Sequence, residues 1–241
     1  MKRGEMRATM ARTITLAALA AGLASMPACV PVRVVTHTVS ANEAAVPVGH
    51  YTLDPHHWSV TFNVEHLKYT RLDMRFDRAH ATLDWQPGGL DASAVDATID
   101  AGSVDTNDVL LDKIVKGPDL FDAATNPTIR FVGTQFARTG PAQGKLEGNL
   151  TIRGTTRPVT LDVTFNGYGA NPLTKEDTLG FSAQGHFSRA QFGLATWFPA
   201  VGDEVRVRIE AEFVRHVNSS ATDTTETPSA PEAASGAQAP Q

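Results

Sequence analysis

Apolar and polar residues alternate with a period of two along most of this chain, and that period constrains the fold more than any other feature. Val60, Phe62 and Val64 alternate with Thr61, Asn63 and Glu65. Leu146, Gly148, Leu150 and Ile152 alternate with Glu147, Asn149 and Thr151, and Val159, Leu161, Val163 and Phe165 with Thr160, Asp162 and Thr164. The pattern returns in Ala94–Asp100, Ile129–Thr134, Phe181–Phe187 and Val205–Phe213. Successive side chains of a strand point to opposite faces, so each run reads as a strand with one dry face and one wet face. With the segment from Phe76 to Trp85 there are about eight strands, separated by turn residues that suit antiparallel hairpins.

One segment breaks the period. Leu110, Leu111, Ile114 and Val115 fall at helical spacing, and Thr106 can cap the start with Asp108 in the first turn. Lys113 and Lys116 sit near the far end, and Gly117-Pro118 stops the helix. The predicted fold is all-β: an eight-stranded antiparallel barrel with a short helix near one end, since closure removes the edges that a sandwich would expose. A barrel of this size is either filled by side chains or holds one slender ligand. Its inward set mixes Phe with Gly and Ala, as in Phe131/Gly133 and Phe181/Ala183/Gly185/Phe187. That mixture is compatible with a lengthwise channel and equally with an interdigitated core.

The chain has 241 residues, enough for one domain of roughly 150–200 residues plus extensions. Residues 1–28 read as an export signal: Lys2, Arg3, Arg7 and Arg12 precede an apolar run from Ile14 to Ala24 that is too short for a lasting membrane span. The single cysteine, Cys29, follows Met26-Pro27-Ala28, which leaves two readings. Either Cys29 is acylated and tethers a lipoprotein to a membrane, or cleavage after Ala28 leaves a free thiol. Residues 29–48 read as a linker or tether and 49–217 as the barrel domain. Residues 218–241 contain no Leu, Ile, Val or Phe and read as a disordered tail. The expected location is the periplasm.

Charge and motifs narrow the function. The formal net charge is -5, and removing residues 1–28, which carry a net +3, leaves -8. No basic surplus exists to neutralise phosphates, so nucleic acid is not an expected partner. One cysteine rules out a disulfide framework within the chain and a Cys-built zinc site. His-Glu-x-x-His, Gly-x-Ser-x-Gly and phosphate-cradling glycine loops are absent from the sequence. His56 and His57, as strand neighbours, would point to opposite faces, so no metal is expected. His57 and His66 read instead as hydrogen-bonding residues at a strand's start and end, or as contacts to the polar head of a ligand.

Several segments together resemble the YceI-like family of exported bacterial polyisoprenoid-binding proteins. They are Tyr51-Thr52-Leu53-Asp54-Pro55-His56-His57 opening a strand that ends in Glu65-His66; Ser103-Val104-Asp105-Thr106-Asn107-Asp108 followed by Gly117-Pro118-Asp119-Leu120-Phe121-Asp122; Asn149-Leu150-Thr151-Ile152-Arg153-Gly154-Thr155-Thr156-Arg157-Pro158; and Phe187-Ser188-Arg189-Ala190-Gln191-Phe192-Gly193 leading to Val201-Gly202-Asp203. The matches run in order across nearly all of residues 49–215. The sequence departs from the family pattern at Asn107, Leu120 and Met74-Arg75.

The resemblance implies a lipocalin-like barrel whose apolar tunnel holds an isoprenoid chain or a quinone-like relative, with no catalysis and no other cofactor. The lining expected on this reading is Val60, Phe62, Val64, Phe131, Leu150, Ile152, Leu161, Val163, Phe165, Phe181, Phe187 and Phe192. Leu110, Ile114 and Trp197 would close one end, and His57, His66 and Arg189 would meet a polar head group. Other functions the sequence leaves open are an accessory role beside a membrane cytochrome of the b561 type and an enzyme using His57 or His66 as general base on a lipid head. A homodimer is among the expected assemblies.

Overall fold

The computed structural model describes residues 36–215, so the readings of residues 1–28, of Cys29 and of 218–241 lie outside the described residues. Ten strands follow one another: β1 (Gly49–His66), β2 (Thr70–Phe76), β3 (Ala79–Trp85), β4 (Ala94–Asp100), β5 (Val104–Asp105), β6 (Thr128–Gly140), β7 (Gln143–Ile152), β8 (Thr155–Ala170), β9 (Asp177–Ser188) and β10 (Val201–Arg215). Eight of them close the barrel, in the ring β1-β3-β4-β6-β7-β8-β9-β10 and back to β1, with every pairing antiparallel. The other two, β2 and β5, extend the wall beside the upper half of β1.

Strand β1 makes this possible by bending. Its first residues, Gly49–Thr52, pair with β3, whereas Val60–His66 pair with β2 on the same edge. Between them, the five-residue step from Leu53 to Trp58 faces only the two-residue step from Phe213 to Ala211 on β10. The extra residues, Asp54 to His57, bulge outward. A bulge of this kind bends a strand and increases its twist.

The helix, α1 (Val109–Lys116), lies in the long β5–β6 connection. Its N-cap is Asp108 rather than Thr106: Asp108 Oδ1 accepts from the amides of Leu110 at 2.8 Å and Leu111 at 2.9 Å. Asp108 has the extended backbone a cap requires. The Thr106 hydroxyl instead donates to Asp112 and to the Asp108 carbonyl, tying the first turn to the preceding strand.

One end of the barrel is plugged. Tyr51, Trp85, Phe165 and Leu179 are almost wholly buried there, together with Val46, Leu83, Leu90 and Phe213. The second half of the expected tether takes part in this plug. Ser40 pairs with Tyr168 through backbone bonds of 2.8 and 2.9 Å, Val46 is buried, and Glu43 forms an ion pair with Arg138. Residues 36–48 are therefore a strap across β8 and the plugged end, because Val46 supplies apolar area that a free linker would leave in water.

Candidate functional site: an apolar chamber

Inside the ring is a cavity of about 880 Å³. That is near the upper end of the range of roughly 300–1,000 Å³ usual for ligand pockets. The sequence left open whether Phe beside Gly means a channel or a solid core, and close approaches on β6 and β7 explain the outcome. A Cβ on Gly148 would collide with the Phe131 ring, and one on Gly144 with the Phe136 ring. With glycine at both positions, each ring can lie against the barrel wall instead of reaching across the bore.

Most of the residues expected to line the interior do so: Val60, Phe62, Val64, Phe131, Leu150, Ile152, Leu161, Val163, Phe181 and Phe187, with His66, Arg189 and Trp197 at the mouth. Five expected site residues lie off the cavity. Phe165 belongs to the plug, its ring tilted against those of Trp85 and Phe181 at centroid distances of 5.6 and 5.3 Å. Phe192 is buried behind Phe187, with ring centroids 5.4 Å apart. Leu110 and Ile114 face solvent, and Leu111 and Val115 of the same helix line the cavity instead. An eight-residue helix with apolar residues at all four positions carries two i,i+4 stripes, and only the packing decides which one turns inward.

His57 lies on the outer face, since it belongs to the bulge rather than to a regular alternating strand. Its Nδ1 is 2.9 Å from Asp54 Oδ2, and the His56 amide donates to Asp54 Oδ1 at 2.8 Å. The hydrogen bond to Asp54 pushes the pKa of His57 up. Partial burial of Asp54 opposes ionisation, but the hydrogen bonds from His57 and the His56 amide outweigh it and hold the carboxyl below its ordinary value. Glu212 Oε2 approaches the same imidazole nitrogen at 4.0 Å, so these three groups gather on the outside of the barrel, away from the chamber.

Arg189 is 5% exposed, and its guanidinium is fully engaged by main-chain carbonyls: Gly202 at 2.8 Å, Val201 at 2.7 Å, Thr196 at 3.0 Å, and Leu194. Burial pulls its pKa down, and Asp203 acts in the opposite direction. Arg189 thus fixes the 190–202 connection, and with it the position of Trp197. His66 is different: its side chain makes no hydrogen bond or ion pair among the described residues, and it faces the mouth of the chamber. The other polar residues of the lining are His80, Ser93, Thr196 and Glu210. The Glu210 carboxylate is turned to Ser182 and Arg208.

Sequence reasoning missed Leu72 and Met74 on β2, and Phe121 after α1, all of which line the cavity together with Phe76. The period-two signal is present in β2, where Leu72, Met74 and Phe76 alternate with Arg71, Asp73 and Arg75. Phe121 carries no periodic signal. It meets Phe62 and Phe76 at centroid distances of 6.3 and 5.7 Å only because the loop after α1 folds back over the mouth.

A closed antiparallel barrel around an apolar chamber, with a helix and loops at one end, defines a ligand-binding barrel of the lipocalin-like class. The YceI-like domain model matches residues 51–213, and the chain belongs to that family. It is 31% identical over 159 residues to Protein YceI of Salmonella newport, covering 66% of this chain and 82% of that one. It is 30% identical over 138 residues to a UPF0312 protein of Vibrio cholerae, covering 57% of this chain and 72% of that one. Among solved structures, Burkholderia cenocepacia BcnA superposes with a TM-score of 0.60 at 27% identity, covering 66% of this chain and 98% of BcnA. A polyisoprenoid-binding domain from Saccharophagus degradans shares the fold with a TM-score of 0.51 at 11% identity, over 70% of this chain and all of that domain.

Proposed function

We propose that the chain binds and carries a long-chain isoprenoid or similar amphiphile, with quinone-like tails among the ligands that fit, and that it acts by binding rather than catalysis. The observation that carries this reading is the 880 Å³ chamber with an almost entirely apolar lining. Water in such a space lacks the two to four polar partners that would hold it. Each buried CH₂ contributes about 0.8 kcal/mol, so a dozen contribute about 10 kcal/mol, within the range of association costs of ~4–15 kcal/mol. Membership in the YceI-like family supports the same reading. His66, unpaired at the mouth, suits the polar head of a ligand whose tail lies deeper. On this reading residues 1–28 export the chain to the periplasm, where water separates such tails from their membranes.

The test is mass spectrometry of an organic-solvent extract of the natively purified protein, followed by titration with a polyprenol and a quinone. A bound lipid, or saturable uptake of either probe, is the expected result. An empty extract together with refusal of both probes overturns the proposal.

A further inference from the structure

The exposed apolar residues are unevenly distributed. Among the described residues, ten large apolar side chains stand exposed, and seven of them surround the mouth. Leu67 and Tyr69 come from the β1–β2 turn, Val109, Leu110 and Ile114 from α1, and Trp197 and Phe198 from the β9–β10 connection. Hydrogen bonds join these segments: the Leu67 amide donates to the Ala200 carbonyl at 2.7 Å, and the Thr196 hydroxyl to the Asp119 carbonyl at 2.7 Å. Leu67 and Trp197 belong to the chamber lining as well as to the exposed set, so the greasy rim and the interior are one continuous surface.

The rim residues are also held in unfavourable backbone conformations. Leu67, Lys68 and Trp197 have φ of 49°, 60° and 64°, a left-handed region that bulky side chains rarely adopt. Such strain clusters where a side chain must be presented in one direction. Lys68 and Lys113 stand exposed beside the apolar residues without an ion pair among the described residues, and their long stems can reach past a buried patch to water.

We propose that this rim is a bilayer-docking surface, through which the chamber exchanges its ligand directly with a membrane. The inference rests on the carrier reading above and adds the occupant of the rim. A tail of many CH₂ groups crosses water only at high cost, so the surface continuous with the chamber must meet the phase that supplies the tail. The strap occupies the plugged end and leaves the rim unobstructed.

The test uses the full chain with Cys29→Ser, so that acylation cannot cause attachment, and neutral phosphatidylcholine/phosphatidylethanolamine vesicles. An environment-sensitive fluorophore is placed at Tyr69→Cys or, as a far-end control, at Leu173→Cys. The rim label is expected to shift to the blue on adding vesicles and the control label to stay unchanged. Val109→Asp/Leu110→Asp, neither of which lines the chamber, is expected to weaken the rim label's response by roughly tenfold or more. A silent rim label, or a doubly substituted chain that responds like its parent, overturns the proposal. So does a rim label that shifts with protein concentration in the absence of lipid, which would make the rim a contact between two copies. Ligand loading from cyclodextrin separates the two readings. If cyclodextrin delivers no isoprenoid, the carrier reading fails, whereas normal cyclodextrin loading with an undiminished vesicle response in the doubly substituted chain defeats the rim alone.

Discussion

His57 Nδ1 and Asp54 Oδ2 lie 2.9 Å apart on the outer surface, and this pair closes the bulge that lets β1 change neighbours. The raised pKa of His57 makes its contribution complete below about 6.5 and lost as pH rises through the folded value. The lowered pKa of Asp54 makes its contribution complete above about 3.8 and lost as pH falls through the folded value. The bulge is therefore tightest between those limits. His57 is half exposed, so the pair contributes at most about 1 kcal/mol. Exchange of the His56 amide, corrected for its intrinsic rate, is expected to be faster at pH 8 than at pH 5.5, and Asp54→Ala is expected to abolish the difference. An unchanged pH dependence in that variant would remove the pair from this role.

Filling the chamber separates capacity from folding. Ala183 lines the cavity on β9, and Ala183→Trp is expected to lower polyprenol uptake more than tenfold while the far-ultraviolet dichroism stays that of the parent. Gly185 is a poor site for the same experiment, because a Cβ there would crowd Leu161 and the Thr160 carbonyl.

Gly148→Ala tests how the bore is kept open. The new methyl would meet both the Phe131 ring and the Val132 carbonyl, so a loss of about 1–3 kcal/mol is expected in urea unfolding. Combining it with Phe131→Leu is expected to recover only part of that loss, since the carbonyl contact remains.

Arg189→Met leaves the carbonyls of Leu194, Thr196, Val201 and Gly202 without their donor. Buried acceptors left in this way cost about 1–3 kcal/mol each when water cannot reach them. The expected outcome is a clear loss of stability and faster proteolysis between Ala190 and Val201. Arg189→Lys is expected to restore only part of the stability, since an ammonium lacks the planar fork that reaches several carbonyls at once.

The barrel was legible because its signal is local. A two-residue period assigns each strand side chain to a face without knowledge of the partner strand, and ten of the twelve residues expected in the interior line the chamber. The exceptions lie where tertiary contacts decide. Phe165 has the right parity, but it sits at the level of the plug; Phe192 is outside any strand. The two stripes of α1 are equivalent until β5 and Phe121 fix its roll. The bulge at Asp54–His57 interrupts the alternation, so of the two readings of His57, a hydrogen-bonding residue at the strand start or a contact to a ligand head, the local pattern cannot choose; the structure gives it Asp54 as partner on the outer face. Whether the interior is hollow depends on rings lying over Gly144 and Gly148 across a strand pair, a relation between residues 8 and 17 positions apart that no local pattern encodes.

The strap gives the molecule a direction. Ser40 and Val46 fasten the chain at the plugged end, so residue 36 leaves the barrel at the pole opposite Trp197. Any attachment made through the preceding residues would therefore join the barrel at its base, the pole opposite its opening, and leave the opening free.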